Sequence, residues 1–186
     1  MKTKIKHIAT IQTGVFAKPN TDGEIVYLQA KHFDIDGNIT NTLYPDLNNN
    51  SKIEKHILYS GDILFAAKGT KNFAACYENT NIPAVASTSF FVIRLNDSNI
   101  LPQYLRWYLN HPDTNSFLKS KAKGTSIASI SKVALQELEL NIPSIHKQKA
   151  ILRIDELYKK KKTIKYKIEQ LQEKQIQQQL INATKQ

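Results

Sequence analysis

Residues 68–72, with the sequence Lys-Gly-Thr-Lys-Asn, place two amines, a hydroxyl group and a carboxamide around one glycine. Lysine can bind a phosphate or the O6/N7 edge of guanine, and asparagine can pair with N6 and N7 of adenine. Glycine lets a backbone approach a ligand closely. Contact with a nucleic acid and an ordinary polar hairpin turn both fit this segment, whose members are Lys68, Gly69, Thr70, Lys71 and Asn72.

A second basic segment with hydroxyl groups comprises Lys121, Lys123, Gly124, Thr125 and Ser126. Lysine amines, hydroxyl groups and backbone N–H groups are the usual phosphate contacts that do not depend on base sequence. A helix C-cap built on Gly124 explains the glycine equally well. The sequence leaves phosphate binding and helix capping as equal alternatives here.

Further polar residues bracket the first predicted strands, namely Gln12, Thr13, Lys18, Gln29, Lys31 and His32. Gln29 and Lys31 are two residues apart and would share one face of a strand, which makes them a third candidate for contact with bases. The polarity of an ordinary protein surface accounts for these residues too, and it is the simpler interpretation.

The residue patterns of catalytic and metal sites are absent from the sequence. The five histidines are scattered without metal-ligand spacing, and no CxxC, HExxH, Walker-type loop or nucleophile motif occurs. We therefore expect no catalytic residue, no metal and no cofactor. Asp62 follows Gly61 at a predicted turn, and turn stabilisation explains it better than acid–base catalysis.

Composition and charge favour a globular domain that meets a polyanion. Apolar residues make up 41% of the 186 residues, enough for a core, and the net charge is +10. Residues 143–186 hold 11 Lys and Arg against 4 Asp and Glu. Such a balance suits nucleic acid, although a solvated basic helix would show it too. The single Cys76 excludes an intrachain disulfide and fits a reducing cytoplasm, and neither a signal peptide nor a membrane span is evident.

The order of predicted elements indicates an α+β fold. Strands rich in Val, Ile, Phe and Thr are predicted within 24–35, 63–67, 72–79 and 84–96, separated by turns and by a polar loop at 41–52. Helical periodicity follows at 102–110 and 113–121, Ser131 can cap a short turn, and 138–142 alternate as a last strand. We expect a mixed, mostly antiparallel β domain over residues 1–142 with short helices.

Residues 143–186 predict one long helix. Neither Pro nor Gly occurs after Pro143, and Ser144 can serve as the N-cap. Apolar residues recur at positions a and d of a heptad, interrupted at one a position by a lysine, which forms the seam of a coiled coil. This seam consists of Ile154, Leu157, Lys161, Ile164, Ile168 and Leu171. Such a rod needs a partner helix to cover its apolar stripe.

Three segments together resemble the specificity subunit of type I restriction–modification systems. These are SGDILFAAKGT at 60–70, PQYLRWYLNHP at 102–112 and KGTSIASISKVALQELELNIPSIHKQKAI at 123–151. Their order and spacing carry the resemblance, since each alone is weak. Lys147 departs from the pattern, because the family usually has Glu before the glutamine matched by Gln148. That change removes a capping-box carboxylate three residues after Ser144.

The resemblance implies a half-subunit without catalytic activity. Family members usually carry two target-recognition domains and two long helices paired as an antiparallel coiled coil, whereas this chain has one of each. It implies a target-recognition domain over 1–142, a dimerisation helix over 143–186, and a homodimer that reads a two-part palindromic site in double-stranded DNA. Its implied partners are a DNA methyltransferase subunit and, where present, a motor endonuclease. The alternative is a helix-mediated assembly or adaptor protein that does not read DNA.

Overall fold

The computed structural model describes residues 2–20, 22–40, 42–69, 71–78, 82–122 and 129–184. The chain divides into two compact units, Met1–Gln148 and Lys149–Gln186. The first unit holds all the strands of the described residues and the second is helical. No helix in the described part of the chain is both long enough and apolar enough to cross a membrane.

The described residues form short strands and helices in the first unit and one long helix that runs on through the second. The strands are β1 (Lys2–Lys4), β2 (Ala9–Thr13), β3 (Val26–Leu28), β4 (Ile63–Ala66), β5 (Ala74–Cys76), β6 (Ala84–Ala86), β7 (Phe90–Leu95) and β8 (Glu139–Asn141). The helices are α1 (Ile5–Ile8), α2 (Ser51–Glu54), α3 (Pro102–Asn110), α4 (Pro112–Ser120), α5 (Lys132–Gln136) and α6 (Ile145–Ala183). Residues Ala30–His32 form a 3-10 turn.

The central sheet is antiparallel and has the strand order β2–β7–β4–β5. Thr13 pairs with Phe91, and Phe65 pairs with Phe91 from the other side of β7. Two further ladders complete the domain: β1 pairs antiparallel with β8, and β3 pairs parallel with β6. The predicted α+β class with mostly antiparallel strands and a long C-terminal helix is confirmed.

The core forms where one face of the central sheet meets the β3–β6 pair. Alternate residues of β4, Leu64 and Ala66, point to this face and pack with Val26 and Leu28 of β3. The rings of Phe33, Phe73 and Phe90 join them, with centroids 5.6 to 5.9 Å apart. Burial of these side chains supplies the main stabilisation of the domain.

Three predicted strands differ from the structure, and the one predicted at 72–79 is limited to β5, Ala74–Cys76. The strand predicted within 24–35 ends at Leu28, because the chain turns into the 3-10 segment, where His32 N donates to Gln29 O at 3.0 Å. Gln29 and Lys31 therefore do not share a strand face. The strand predicted at 84–96 is two strands, β6 and β7. Between them Phe90 N donates to Ser87 O at 3.0 Å, closing a turn at Ser87–Ser89.

The helix predictions agree with the structure to within a few residues. Predicted segments 102–110 and 113–121 are α3 and α4, and the predicted polar loop 41–52 contains the start of α2. Ser131 Oγ accepts from Ala134 N at 3.1 Å, the predicted cap of α5. Ser144 Oγ accepts from Lys147 N at 3.4 Å at the start of α6.

Gln148 fixes the first turn of α6 within the first unit. Its side chain is fully buried, and its Oε1 accepts from Leu101 N at 2.9 Å. Its Nε2 donates to Asn99 O at 2.7 Å and to Pro143 O at 2.8 Å. A buried carboxamide that leaves no donor or acceptor unpaired costs little to bury, and replacing it would leave three backbone groups without partners. The sequence had shown Gln148 only as part of the family resemblance.

Glu137 forms ion pairs with two lysines near the N-terminus, and these pairs predict that folding stability depends on pH. Lys4 Nζ and Lys6 Nζ each lie 2.6 Å from its carboxylate, and they lower the pKa of Glu137 to about 2. Since the folded pKa is depressed, this stabilisation is present above the ordinary value of 4.5 and is lost as pH falls towards 2. The groups are exposed, so the effect is small. Between pH 5 and 2 the urea midpoint of Glu137→Gln should fall less than that of the wild type. An equal fall of the urea midpoint with pH in the two proteins would contradict this prediction.

Candidate nucleic-acid interface

The turn Ser87–Ser89 is the point around which the predicted polar segments meet. On one side Ala67 N donates to Ser89 O at 3.0 Å, just after β4 ends. On the other side Gly14 N donates to Phe90 O at 3.0 Å and Val15 N donates to Ala86 O at 2.8 Å, just after β2 ends. Ser87 N donates to Leu28 O at 2.8 Å, which adds the end of β3.

Strand direction explains this convergence. Strands β2 and β4 both run antiparallel to β7, so both end beside its beginning, and β3 ends beside the end of β6. The residues after each strand therefore lie at one edge of the domain. We call this edge the basic edge and define it by residues 12–18, 29–32, 67–73 except Thr70, 87–89 and 129–131.

Ser129 and Ile130 are the first described residues after the second predicted phosphate loop, and they lie at the same edge. Lys68 and Ser129 form an antiparallel bridge, and Ile130 N donates to Ala67 O at 2.9 Å. Four predicted contact residues of that loop, Lys123, Gly124, Thr125 and Ser126, lie outside the described residues, as does Thr70 of the first loop.

The segments of the basic edge carry positive charge and contain no carboxylate, and the charge of Asp46 acts on His32 at their border. The five segments contain no Asp and no Glu, and they contain four lysines, Lys18, Lys31, Lys68 and Lys71, all of them exposed. Exposed Thr13 and partly exposed Thr88 and Ser89 add hydroxyl groups. Cationic and hydroxyl groups together on one edge suit a phosphate backbone.

Asn72 is buried, in contrast to its lysine neighbours. Only 7% of its surface is exposed, and its Nδ2 donates to Ala66 O at 2.9 Å. Its backbone oxygen accepts from Asn115 Nδ2 at 2.9 Å. The side chain holds the loop in shape, and this geometry does not present it to a base edge. Gly69 has φ +98°, and a Cβ built there would meet nothing within 4 Å, so it gives the loop a left-handed turn with open space beside it.

His32 braces the segment that carries Gln29 and Lys31. Its Nδ1 accepts from Gln29 N at 3.2 Å. Burial and, secondarily, the charge of Lys31 lower the pKa of His32, so the ring is neutral at pH 7 and can accept this bond. Lys31 remains exposed on the rim, and Gln29 is half-buried.

Metal-ligating side chains are not gathered anywhere in the described part of the chain. No cluster of three or more His, Cys, Asp or Glu residues is placed to hold a metal ion there. Cys76 is half-buried, and burial raises the pKa of its thiol to about 11, which keeps it protonated at neutral pH.

Comparison with known proteins assigns the fold and the sequence to one family. The family model described as "Type I restriction modification DNA specificity domain" matches residues 2–173. The chain belongs to this family. As a DNA specificity domain it is not an enzyme. No curated protein sequence matches the chain.

Solved structures agree on the fold of this specificity domain. The HsdS subunit from Thermoanaerobacter tengcongensis superposes with TM-score 0.63 at 22% identity, over 89% of this chain and 43% of that one. The type I restriction-modification system S subunit from M. genitalium gives TM-score 0.59 at 16% identity, over 86% and 39%. A structure of type I R-M complex assembly and conformational transition gives 0.62 at 13% identity, over 86% and 38%. The chain spans about two-fifths of the length of these structures.

Proposed function

We propose that the chain reads one half of a two-part target in double-stranded DNA and directs a DNA methyltransferase subunit, and where present a motor endonuclease, to it. The observation that carries the proposal is the basic edge, where three strand ends place exposed lysines with no carboxylate among them. Membership of the DNA specificity domain family supports this choice and does not favour an adaptor that ignores DNA. Work on DNA with these partners would take place in the cytoplasm.

The residues of the basic edge and of the second loop have different proposed roles. Lys68, Lys71 and Lys31 bind phosphate or a guanine edge, and Gly69 lets the loop approach the duplex. Gln29 is proposed to reach a base edge in the major groove, where donor and acceptor patterns distinguish all four base pairs. Lys123, Gly124, Thr125 and Ser126 remain proposed phosphate contacts with Thr70, whereas Asn72 shapes the loop.

We further propose that α6 pairs with the α6 of a second copy. Five apolar seam residues, Ile154, Leu157, Ile164, Ile168 and Leu171, are 49 to 67% exposed in the chain. An antiparallel arrangement about a two-fold axis near residue 162 would match Ile154 with Leu171, Leu157 with Ile168, and Ile164 with the aliphatic stem of Lys161. Every seam position then meets another seam position, which is what a self-pairing helix requires.

The salt dependence of duplex binding tests the role of the basic edge. Each lysine that neutralises a phosphate releases a counterion, so Lys68→Ala and Lys71→Ala should each reduce the slope of log K against log salt by about 1. The slope is measured by fluorescence anisotropy with a labelled duplex between about 50 and 200 mM salt.

Lys6→Ala is the matched control for this measurement. Lys6 is an exposed lysine just before β2, at the opposite end of the β2–β7 ladder from the basic edge, and Glu137 keeps Lys4 when Lys6 is lost. Its slope should equal that of the wild type. Equal slopes for all four proteins would overturn the roles of Lys68 and Lys71, and duplex binding that does not weaken as salt rises would overturn the proposed function.

A further inference from the structure

Phe16 is the most exposed phenylalanine of the described residues, with 66% of its surface accessible. It lies one residue beyond Val15, which bonds to β6 beside the turn Ser87–Ser89. Lys68 lies one residue beyond Ala67, which bonds to the same turn from the other side. Phe16 is therefore part of the basic edge, and exposed Lys18 follows it.

The backbone on both sides of Phe16 is held by one buried hydroxyl group. Tyr27 is 3% exposed, and its Oη donates to Val15 O at 2.9 Å and accepts from Ala17 N at 3.4 Å. Tyr27 itself is fixed in the β3–β6 ladder, where it pairs with Val85. The fold thus fixes the segment at the two residues that flank Phe16 and leaves the ring pointing to solvent.

A single exposed apolar residue is common on protein surfaces and means little by itself. Phe16 differs because its neighbours are anchored and because its surroundings are cationic. An edge proposed to bind phosphate that also presents an exposed apolar ring on an anchored backbone has one apolar feature to meet in the major groove, the C5-methyl group of thymine. A phenyl ring offers no donor or acceptor for the other groups displayed there.

We propose that Phe16 is a specificity-determining residue that contacts the C5-methyl group of one thymine in the DNA half-site. This proposal rests on the proposed function, because it requires the basic edge to lie against duplex DNA. Lys18, Lys31, Lys68 and Lys71 supply affinity that does not depend on base sequence, and Phe16 supplies a preference at one base pair. The size of that preference is roughly fourfold, the value for burying one methyl group.

The test combines a change in the protein with a change in the base. Wild type, Phe16→Ala and Phe16→Leu are each used to select duplexes from a randomised pool made with thymine and from a second pool made with uracil, which lacks the methyl group. Wild type should select a thymine at one position. In the uracil pool its preference for uracil at that position should be roughly fourfold weaker. Phe16→Ala should show the same preference at that position in both pools. Phe16→Leu should keep part of the difference between the pools.

Tyr166→Ala is the control, since Tyr166 is an aromatic residue of α6 with 60% exposure. It should select the same consensus as the wild type, with the same loss in the uracil pool. Thermal melting confirms that each variant is folded, which the exposure of Phe16 leads us to expect.

The outcomes separate this proposal from the proposed function. If Phe16→Ala keeps the full consensus and still prefers the thymine pool, the assignment of Phe16 is overturned while sequence reading stands. If Phe16→Ala weakens all sequences equally, the ring contributes affinity only and the thymine contact is overturned. If the wild type selects no consensus, both proposals fall together.

Discussion

Ile164→Asp is expected to convert a dimer of this chain into a monomer. Ile164 lies at a d position in the middle of the α6 seam, and in the proposed pair its side chain would be enclosed by Lys161 and its neighbours from the second copy. A carboxylate in that place would remove a buried apolar side chain and would lose water, at a cost of several kcal/mol. The Lys161 amine extends towards solvent, so its ion pair with the carboxylate offsets at most about 1 kcal/mol of that cost. Leu171→Asp, which would face Ile154 of the other helix, should have the same effect. Light scattering coupled to size exclusion measures the change.

Tyr166→Asp is the matched control for the seam variants. Tyr166 lies two residues from Ile164 on α6, at an f position that points away from the seam, and it is similarly exposed at 60% against 58%. The same carboxylate there should leave the dimer intact. A mass equal to two chains for Ile164→Asp, or equal loss of dimer for all three variants, would contradict the proposed pairing.

The measurement depends on ionic strength because of the residues beside the seam. All four g positions from Arg153 to Lys174, including Lys160 and Lys167, are basic. In an antiparallel pair g positions face g positions, so these charges repel one another. The repulsion is screened at high salt, where the Debye length is about 3 Å at 1 M. The comparison is therefore made at several salt concentrations, and the wild-type dimer should be strongest at the highest.

The sequence predicted most of the fold because its patterns are local. Helix α6 is specified by the absence of Pro and Gly and by an apolar residue every three or four positions, so its start was predicted to within a few residues. Pro102 and Pro112 likewise mark the first turns of α3 and α4. The errors at 24–35 and 84–96 have one cause. After Leu28 and after Ala86 the chain enters a tight turn, closed by His32 N to Gln29 O and by Phe90 N to Ser87 O, within a run of residues that is otherwise typical of a strand.

The candidate site was predicted in part, for a related reason. Residue type makes Lys68, Gly69 and Lys71 candidates for DNA contact, because amines and glycine can be recognised without knowing where they lie. Whether a given side chain is buried cannot be recognised from its residue type alone. Asn72 has the right chemistry for a base but is buried inside the loop, and Phe16 has none of the polar groups that mark a nucleic-acid contact in a sequence. The meeting of the segments at Ser87–Ser89 follows from the sheet order, which a single sequence does not display.

The carboxylate of Asp62 is a structural element whose removal should destabilise the domain strongly. Asp62 is 2% exposed, and its Oδ2 accepts from Tyr59 N at 2.8 Å. Its Oδ1 accepts from Arg94 Nε at 2.8 Å, and its Oδ2 also accepts from Arg94 Nη2 at 2.6 Å. The guanidinium also lies over the Tyr59 ring, 4.3 Å from its centroid. Sequence analysis expected a turn-stabilising role for Asp62 but did not identify its partner on β7.

Asp62→Ala should lower the free energy of unfolding by roughly 3 kcal/mol, measured by urea denaturation. Losing one partner of a buried ion pair costs about 3 to 5 kcal/mol, and the lower end applies because the Arg94 side chain is 38% exposed and can be hydrated. Asp62→Asn should cost less, since an amide oxygen can still accept from Tyr59 N. Asp113→Asn removes a carboxylate whose side chain is 93% exposed, and it should change stability little.

Asp62 precedes β4, at the other end of that strand from the basic edge, so the folded fraction of Asp62→Ala should bind duplex DNA as the wild type does. An unchanged urea midpoint would show that the pair adds nothing to stability. A folded variant that no longer bound DNA would instead give Asp62 a role in recognition.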